Sequence, residues 1–127
     1  MPESVHNAVD YIEIPVGNVA SAKKFYGHVF GWDFTDYGDD YASFFDSRIS
    51  GGFAKSDNHG TDVTGRSDST ATNSVLVVMY SENLDDSKKK VGEAGGEITQ
   101  DIFEFPGGKR FHFTDCCGNE LAVWSDK

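Results

Sequence analysis

Hydrophobic and polar residues alternate over residues 8–16, where Ile12 and Ile14 flank an acidic position. Side chains along a strand point alternately to its two faces, so this pattern predicts a strand with its aliphatic residues on one face. Tyr11 and Glu13 then lie on the opposite face.

The hydrophobic period changes after this strand. Asn18 has the residue type that caps helix amino termini, and Gly31 the type that ends helices. Between them apolar residues recur every three or four positions, which predicts a helix with one buried face. These residues are Val19, Ala22, Phe25, Tyr26, Val29 and Phe30. Three short strands are predicted to follow, at Trp32–Tyr37, Tyr41–Asp46 and Ile49–Ala54, with a turn at Gly38-Asp39-Asp40.

The same order of elements repeats in the second half. Asn83 lies 65 positions after Asn18 and predicts the N-cap of a second helix, which Gly95 and Gly96 end. The apolar segment Ser74–Tyr80 precedes it and predicts a strand buried on both faces. Three more strands are predicted at about Glu97–Glu104, Lys109–Thr114 and Asn119–Trp124. The chain therefore contains two strand-helix-strand-strand-strand units.

A polar segment, residues 55–73, separates the two units, and Val63 is its only large aliphatic residue. It can bury little apolar surface, which predicts a mobile linker or surface loop. We expect one domain over residues 1–127, with a first module at about 8–54 and a second at about 74–125. Because each module covers one face of its sheet with a helix, pairing them predicts an α+β fold. The two modules form an open curved sheet, or bowl, with the helices outside and a partly apolar cavity within.

The charge balance limits the partners of this protein. The 127 residues include 21 acidic and 11 basic side chains, a formal net charge of −10. Such a surface repels phosphate groups, so neither nucleic acid nor a membrane surface is an expected partner. Apolar runs are shorter than the about 20 residues that span a bilayer, and the amino terminus has no signal-peptide pattern. We therefore expect a cytoplasmic protein.

Cys116 and Cys117 are adjacent and are the only cysteines. Neighbouring residues do not easily reach disulfide geometry, and two thiols are too few for a closed zinc site. The pair is expected to fill a turn, although a redox role stays open.

Three segments resemble the vicinal oxygen chelate superfamily, which comprises glyoxalase I, bleomycin- and fosfomycin-resistance proteins and extradiol dioxygenases. They are Asp10–Tyr26, Val29–Phe34 and Phe113–Trp124. In the last segment, Asp115 and Asn119 match the superfamily's closing Asp-Pro-Asp-Gly-Asn turn, whereas the cysteine pair departs from it. The resemblance implies paired beta-alpha-beta-beta-beta modules, a homodimer and, in the enzymes, a divalent metal bound by His, Gln or Glu.

The positions of those metal ligands can be located in this sequence from the resemblance. They correspond to Tyr11, to Leu76 and to Ala122, with the fourth on the strand Ile49–Ala54. Leu76 and Ala122 carry no donor atom, and the strand has no carboxylate or imidazole, whereas a divalent ion requires several oxygen or nitrogen ligands. The usual metal site is therefore predicted to be absent, and no cofactor is expected. The alternative is an unusual metal site built from Glu13, His112 and Glu120.

Strand alternation from these positions predicts the lining of the bowl. A turn that pairs Thr114 with Asn119 would turn Phe111 and Phe113 towards the bowl and His112 towards the helices, as a structural histidine. The predicted ligand-binding residues are Tyr11, Phe53, Leu76, Val78, Tyr80, Phe111, Phe113, Glu120, Ala122 and Trp124. The aromatic members form either a wall for a flat ligand or simply the filling of the concavity.

Two classes of function follow from this arrangement, with a third left open. The first is a small-molecule binder of the glyoxalase and bleomycin-resistance type that uses no metal. The second is a lyase, isomerase or dioxygenase-type enzyme with Glu13 as its base, joined by His112 and Glu120 if a metal binds. The third is a structural or regulatory partner module without a small ligand.

Overall fold

A computed structural model describes residues 4–56 and 75–127. The elements are β1 (Tyr11–Val16), α1 (Val19–Phe30), β2 (Asp33–Asp36), β3 (Tyr41–Phe45), β4 (Ser50–Lys55), β5 (Val78–Tyr80), α2 (Leu84–Glu93), β6 (Glu97–Phe105), β7 (Gly108–Thr114) and β8 (Glu120–Ser125). Of the predicted linker, only Lys55 and Ser56 fall within the described residues. The mobility predicted for the rest, and the start of the strand predicted from Ser74, lie outside them.

The two halves form four-stranded sheets of identical topology. One sheet has the strand order β1-β4-β3-β2 and the other β5-β8-β7-β6. In each, the first strand runs parallel to the last and the other pairs are antiparallel. The predicted α+β fold with two beta-alpha-beta-beta-beta modules is confirmed: the two mixed sheets, each with one helix, form a curved sheet that does not close.

Both helices begin where the sequence predicts. The Asn18 side chain accepts a hydrogen bond of 2.9 Å from the backbone N–H of Ser21, and the Asn83 side chain accepts one of 3.0 Å from that of Asp86. These bonds satisfy amide groups that have no partner within the first helical turn. Gly31 ends α1 with a positive φ of 71°, a conformation that glycine adopts without steric cost.

Helix α1 joins the cores of the two modules. The Tyr26 ring lies 5.1 Å from that of Phe53 in the first sheet, and the Phe25 ring lies 6.0 Å from that of Phe113 in the second. The covered side of both sheets, which we call the helix-side face, therefore contributes to one hydrophobic core. The opposite side of each sheet is called the open face below.

Buried polar contacts join the modules at the same place. The Tyr26 hydroxyl donates to Asp115 Oδ2 at 2.7 Å, and Asp115 Oδ1 accepts from the backbone amides of Cys117 and Asn119. Asn119 Nδ2 donates to the Pro15 carbonyl at 2.8 Å, which ties the β7–β8 turn to the end of β1. Burial, together with the neighbouring Asp115, raises the pKa of Tyr26, so the hydroxyl stays protonated and donates.

The register of β7 and β8 contradicts three predicted positions. Thr114 pairs with Glu120, not with Asn119, so the predicted faces of β7 are exchanged. Phe111 and Phe113 are fully buried on the helix-side face and do not line the bowl as predicted. His112, predicted on the helix side, instead shares the open face with Ala122, its partner in the ladder.

Phe53 was predicted to line the bowl, and this too is wrong. It pairs with Ile14 on β1 and with Ala42 on β3, both buried, and its own side chain is fully buried in the core. Because β4 follows the alternation of its neighbours, Phe53 packs against the aromatic face of α1.

The strand predicted at Ser74–Tyr80 is shorter and more exposed than expected. Only Val78–Tyr80 forms the ladder of β5, and Val78 and Tyr80 are 39% and 46% exposed. The prediction of burial on both faces is wrong because β5 is an edge strand that pairs only with β8.

We expect Tyr26→Phe to lower the free energy of unfolding by about 1–3 kcal/mol, because it removes one donor from a buried carboxylate without changing the ring. Urea unfolding measures the change. Tyr37→Phe is the matched control, since that side chain is 64% exposed. Equal losses in both variants would contradict a stabilising bond between the modules.

Candidate functional site

A cavity of about 1110 Å³ lies between the edge strands β1 and β5. Four of the predicted ligand-binding residues line it, one from the first module and three from the second: Tyr11, Val78, Tyr80 and Trp124. Ile12 and Phe44 add apolar surface that the sequence prediction missed. The cavity is therefore bounded by both modules and is mainly apolar, with Asp10, Asp46 and Arg48 as the charged residues of its described lining.

The hydroxyl groups near β1 belong to a network that includes Glu13. The Tyr11 and Tyr41 hydroxyl oxygens are in hydrogen-bond contact, and the Tyr41 hydroxyl donates to Glu13 Oε1 at 3.1 Å. Partial burial and hydrogen bonds to Tyr11 and Glu13 raise the pKa of Tyr41, which keeps it a donor. Glu13 is exposed on the open face and is absent from the described lining of the large cavity.

Gly52 makes this network possible. It is the β4 partner of both Glu13 and Ser43, so it lies beneath the network in the middle of the sheet. A Cβ atom at this position would overlap the hydroxyl groups of both tyrosines. A glycine here allows two rings to approach the backbone closely.

The open face of the second module holds a histidine–carboxylate pair. His112 Nδ1 lies 3.2 Å from Glu120 Oε2, and the Thr99 hydroxyl donates to the same oxygen at 3.4 Å. Glu120 therefore shares the open face with Ala122, but it is absent from the described cavity lining and contacts His112, which was predicted on the opposite face.

The aromatic side chains of the second module meet at the cavity edge. The Tyr80 and Trp124 rings are 5.2 Å apart in an edge-to-face arrangement. The Tyr80 hydroxyl donates to Asp126 Oδ1 at 2.6 Å, and this bond raises the pKa of Tyr80 to about 12. Tyr80 thus presents a neutral, oriented ring at physiological pH.

Two further predicted residues, Leu76 and Ala122, are absent from the described cavity lining. Ala122 is fully buried and pairs with Val78, and Leu76 is half-buried just before β5. Tyr41 was missed because its contact with Glu13 spans 28 positions in sequence. Its only sequence signal is its place in the aromatic strand β3.

The sequence profile of the Glyoxalase/Bleomycin resistance protein/Dioxygenase superfamily matches residues 8–123. This chain belongs to that superfamily. The match extends across both modules, and the repeated topology described above is consistent with it.

Solved structures of the glyoxalase-like superfamily share the fold at low sequence identity. A glyoxalase-related enzyme from Fulvimarina pelagi is 16% identical, with a TM-score of 0.73 over 94% of this chain and 88% of its own. The fosfomycin resistance protein FosX from Listeria monocytogenes is 11% identical, with a TM-score of 0.73 over 97% and 96% of the two chains. Hypothetical protein SA1046 from S. aureus is 15% identical, with a TM-score of 0.71 over 96% and 95%. No protein of curated function matches the chain.

The residues at the superfamily's metal-ligand positions do not fit a divalent ion. Tyr11 offers one phenol oxygen, Leu76 and Ala122 offer none, and β4 has neither a carboxylate nor an imidazole. Across residues 4–56 and 75–127, no group of three or more His, Cys, Asp or Glu side chains could hold a metal ion. The alternative set is divided, since His112 pairs with Glu120 while Glu13 bonds to Tyr41.

Neither helix in the described parts of the glyoxalase-like chain is long and apolar enough to cross a membrane. The longer of the two, α1, has 12 residues.

The cysteine pair distinguishes the closing turn of this glyoxalase-like chain. The two thiols are free, with their sulfur atoms 3.5 Å apart. A hydrogen bond from Cys116, helped by the backbone amides of Asn18 and Gly17, lowers the pKa of Cys117 to about 6. Hydrogen bonding to Cys117 and burial raise the pKa of Cys116.

We expect one thiolate to form near pH 6 in the native protein, measured as a rise in absorbance at 240 nm. The pKa of Cys117 in the folded protein is below the unfolded value of about 8.5. Between these two pH values the unfolded chain binds more protons than the native protein, so the free energy of unfolding rises with pH. This added stability is fully present above the unfolded pKa and is lost as the pH falls towards 6. Cys117→Ser should abolish both effects, and Cys116→Ser should move the titration to higher pH. A first thiolate appearing only above pH 8 in the native protein would contradict the assignment.

Proposed function

We propose that this protein binds a small, mainly apolar molecule in the cavity between β1 and β5, without a metal at the superfamily's usual positions. The observation that carries the proposal is the cavity itself. Its volume of about 1110 Å³ is just above the range of about 300–1,000 Å³ that is typical of ligand-binding pockets. Residues from both modules line it, and four of them were expected from strand alternation counted from the positions that the superfamily resemblance implies.

The superfamily supports the class of function. Its name includes resistance proteins as well as enzymes. Structural relatives include a protein described as a fosfomycin resistance protein and another described as a lactoylglutathione lyase, from Agrobacterium tumefaciens. Sequestration of a small molecule requires a shaped cavity but no reactive centre, and this chain supplies the former. Its aromatic lining favours a ligand with a flat or apolar part.

We include a homodimer in the proposal. Large apolar or aromatic side chains are exposed around the cavity mouth, including Val5, Val9, Tyr11, Val78 and Tyr80. A second copy that covered these residues would remove apolar surface from water and enclose the ligand. A sedimentation mass of one chain at micromolar concentration would remove the dimer from the proposal.

The free thiols also support the cytoplasmic location expected from the sequence, where thiols stay reduced.

A panel of metabolites and antibiotics, both neutral and anionic, tests cavity binding by thermal shift. We expect at least one compound to raise the melting temperature by several degrees, since a ligand at 100 times its Kd stabilises the native state by about 2.7 kcal/mol. Val78→Trp should reduce the shift by filling the mouth of the cavity. Val75→Trp is the matched control, because Val75 is 88% exposed and is absent from the described cavity lining.

Two outcomes would contradict the binding proposal. Either no compound in the panel stabilises the wild type, or every stabilising compound acts equally on both tryptophan variants.

The Tyr41–Glu13 hydrogen bond favours a second candidate, an enzyme of the lyase or isomerase type with Glu13 as its base. A positioned carboxylate within reach of a substrate can remove a proton from carbon or oxygen. We expect Glu13→Gln to lower turnover of any substrate found by at least 100-fold, while the melting temperature changes little because the side chain is exposed. Turnover that survives this change would exclude Glu13 as the base.

A further inference from the structure

Two buried nitrogen atoms lack hydrogen-bond partners, and both lie on the open face of β7. Within residues 4–56 and 75–127 they are the only buried side-chain polar atoms in this condition: Arg110 Nε and His112 Nε2. The two residues are separated by one position, so strand alternation places them on the same face. Leaving buried polar atoms unpaired costs free energy, and such atoms in a native structure indicate a missing partner.

The arginine is held by aromatic rings and not by an acid. Its guanidinium carbon lies 5.4 Å from the centre of the Phe103 ring and 5.9 Å from that of Phe105. The two rings interact with the positive charge of the guanidinium, and the N–H groups of Arg110 remain available as hydrogen-bond donors. Among the described residues no carboxylate forms an ion pair with Arg110.

Two carboxylates of the second module have other partners. Glu120 pairs with His112, and Asp126 accepts the Tyr80 hydroxyl. The chain has 21 acidic residues and 3 arginines, yet the half-buried guanidinium of Arg110 has no acidic partner among the described residues. Its N–H groups could donate hydrogen bonds to the carboxylate of a ligand.

An irregularity in β6 provides the aromatic rings around this arginine. Gln100 pairs with His112, and the next paired residue is Phe103, opposite Arg110, so the register shifts by one position between them. If β6 were regular after Gln100, Ile102 would lie opposite Arg110 and Glu104 would follow on the same face. The bulge instead places Phe103 opposite Arg110 and Phe105 next on that face, so an aromatic ring takes the position that the Glu104 carboxylate would have.

Trp124 connects this arrangement to the cavity. It is the β8 partner of Arg110, and it also lines the cavity next to Tyr80. Arg110, Phe103 and Phe105 are absent from the described cavity lining, so the site proposed below adjoins the cavity at Trp124. The net charge of −10 disfavours ligands with several negative charges, which leaves a small monoanion as the matching ligand.

We propose that Arg110 binds the carboxylate group of a small aromatic acid whose ring packs on Trp124 and the phenylalanines of β6. The planar guanidinium matches a carboxylate with two parallel hydrogen bonds. The proposal rests on the small-molecule function proposed above and adds the ligand's chemical class. It also explains why Arg110 has aromatic neighbours but no acidic partner.

Titration with benzoate tests the proposal by NMR, observed at the Nε–Hε signal of Arg110, which is identified by its loss in Arg110→Lys. We expect this signal to shift and saturate with benzoate. Neutral benzamide, which lacks the charge, and acetate, which lacks the ring, should produce much smaller shifts at equal concentration. The melting temperature should rise with benzoate in the wild type and not in Arg110→Met.

The matched control removes the same charge from the other face of the strand. Lys109→Met changes the neighbouring residue on β7, so it lowers the positive charge equally but should keep the benzoate response. If Arg110→Met is unfolded by circular dichroism, Arg110→Lys is used instead; it keeps the charge but loses the two parallel bonds, so benzoate binding should weaken at least tenfold.

Three outcomes would overturn the inference: no saturable shift of the Arg110 signal up to tens of millimolar benzoate, equal responses to benzoate and benzamide, or an equal loss of the response in Lys109→Met. Its failure is distinguishable from failure of the proposed function. Neutral ligands that bind the wild type and are blocked by Val78→Trp would preserve cavity binding while removing the anion site.

Discussion

The packing of one amphipathic helix against two sheets is the interaction on which this structure depends. The buried face of α1 places Tyr26 against Phe53 of the first module, and Phe25 against Phe113 of the second. The Tyr26–Asp115 hydrogen bond then ties the helix to the β7–β8 turn. Because the helix-side faces are used in this shared core, the open faces are left to carry polar and aromatic groups for other purposes.

The open faces of the two modules differ in chemistry although their topology is the same. The first has hydroxyl groups and a carboxylate arranged around Gly52, and the second has a histidine–carboxylate pair and an arginine among aromatic rings. This difference is expected after duplication, because the core restricts the helix-side residues of both copies and leaves the open-face residues free to diverge. The edge strands β1 and β5 border the cavity.

Membership of the superfamily explains the fold, whereas what the protein binds or catalyses depends on the individual side chains of its site. Where metal-dependent relatives are expected to hold an ion, this chain has a leucine and an alanine, whose side chains pack and cannot coordinate. The aromatic and hydroxyl groups that remain are the basis of the small-molecule binding proposed above. A cavity wall that is apolar, with a few oriented polar groups, achieves selectivity by burying surface and pairing those groups.

The amino-acid sequence by itself determined the helices, most of the strands, the caps at Asn18 and Asn83, and the duplication, because these follow from short-range periodicity and from local hydrogen bonding. Combined with the superfamily resemblance, it also identified four residues that line the cavity. Alternation separates two faces of a strand but does not say which one packs on a helix, and in β7 both faces carry large side chains. The pairing of Thr114 with Glu120, one residue away from the expected partner, therefore reversed Phe111, His112 and Phe113 together. Hydrogen bonds within the turn, from the backbone amides of Cys117 and Asn119 to Asp115 Oδ1, contribute to this register. Which face of β7 packs on the helix is visible only in the folded protein, because the turn also fits against Tyr26 and Pro15, residues that are about a hundred positions away in the chain.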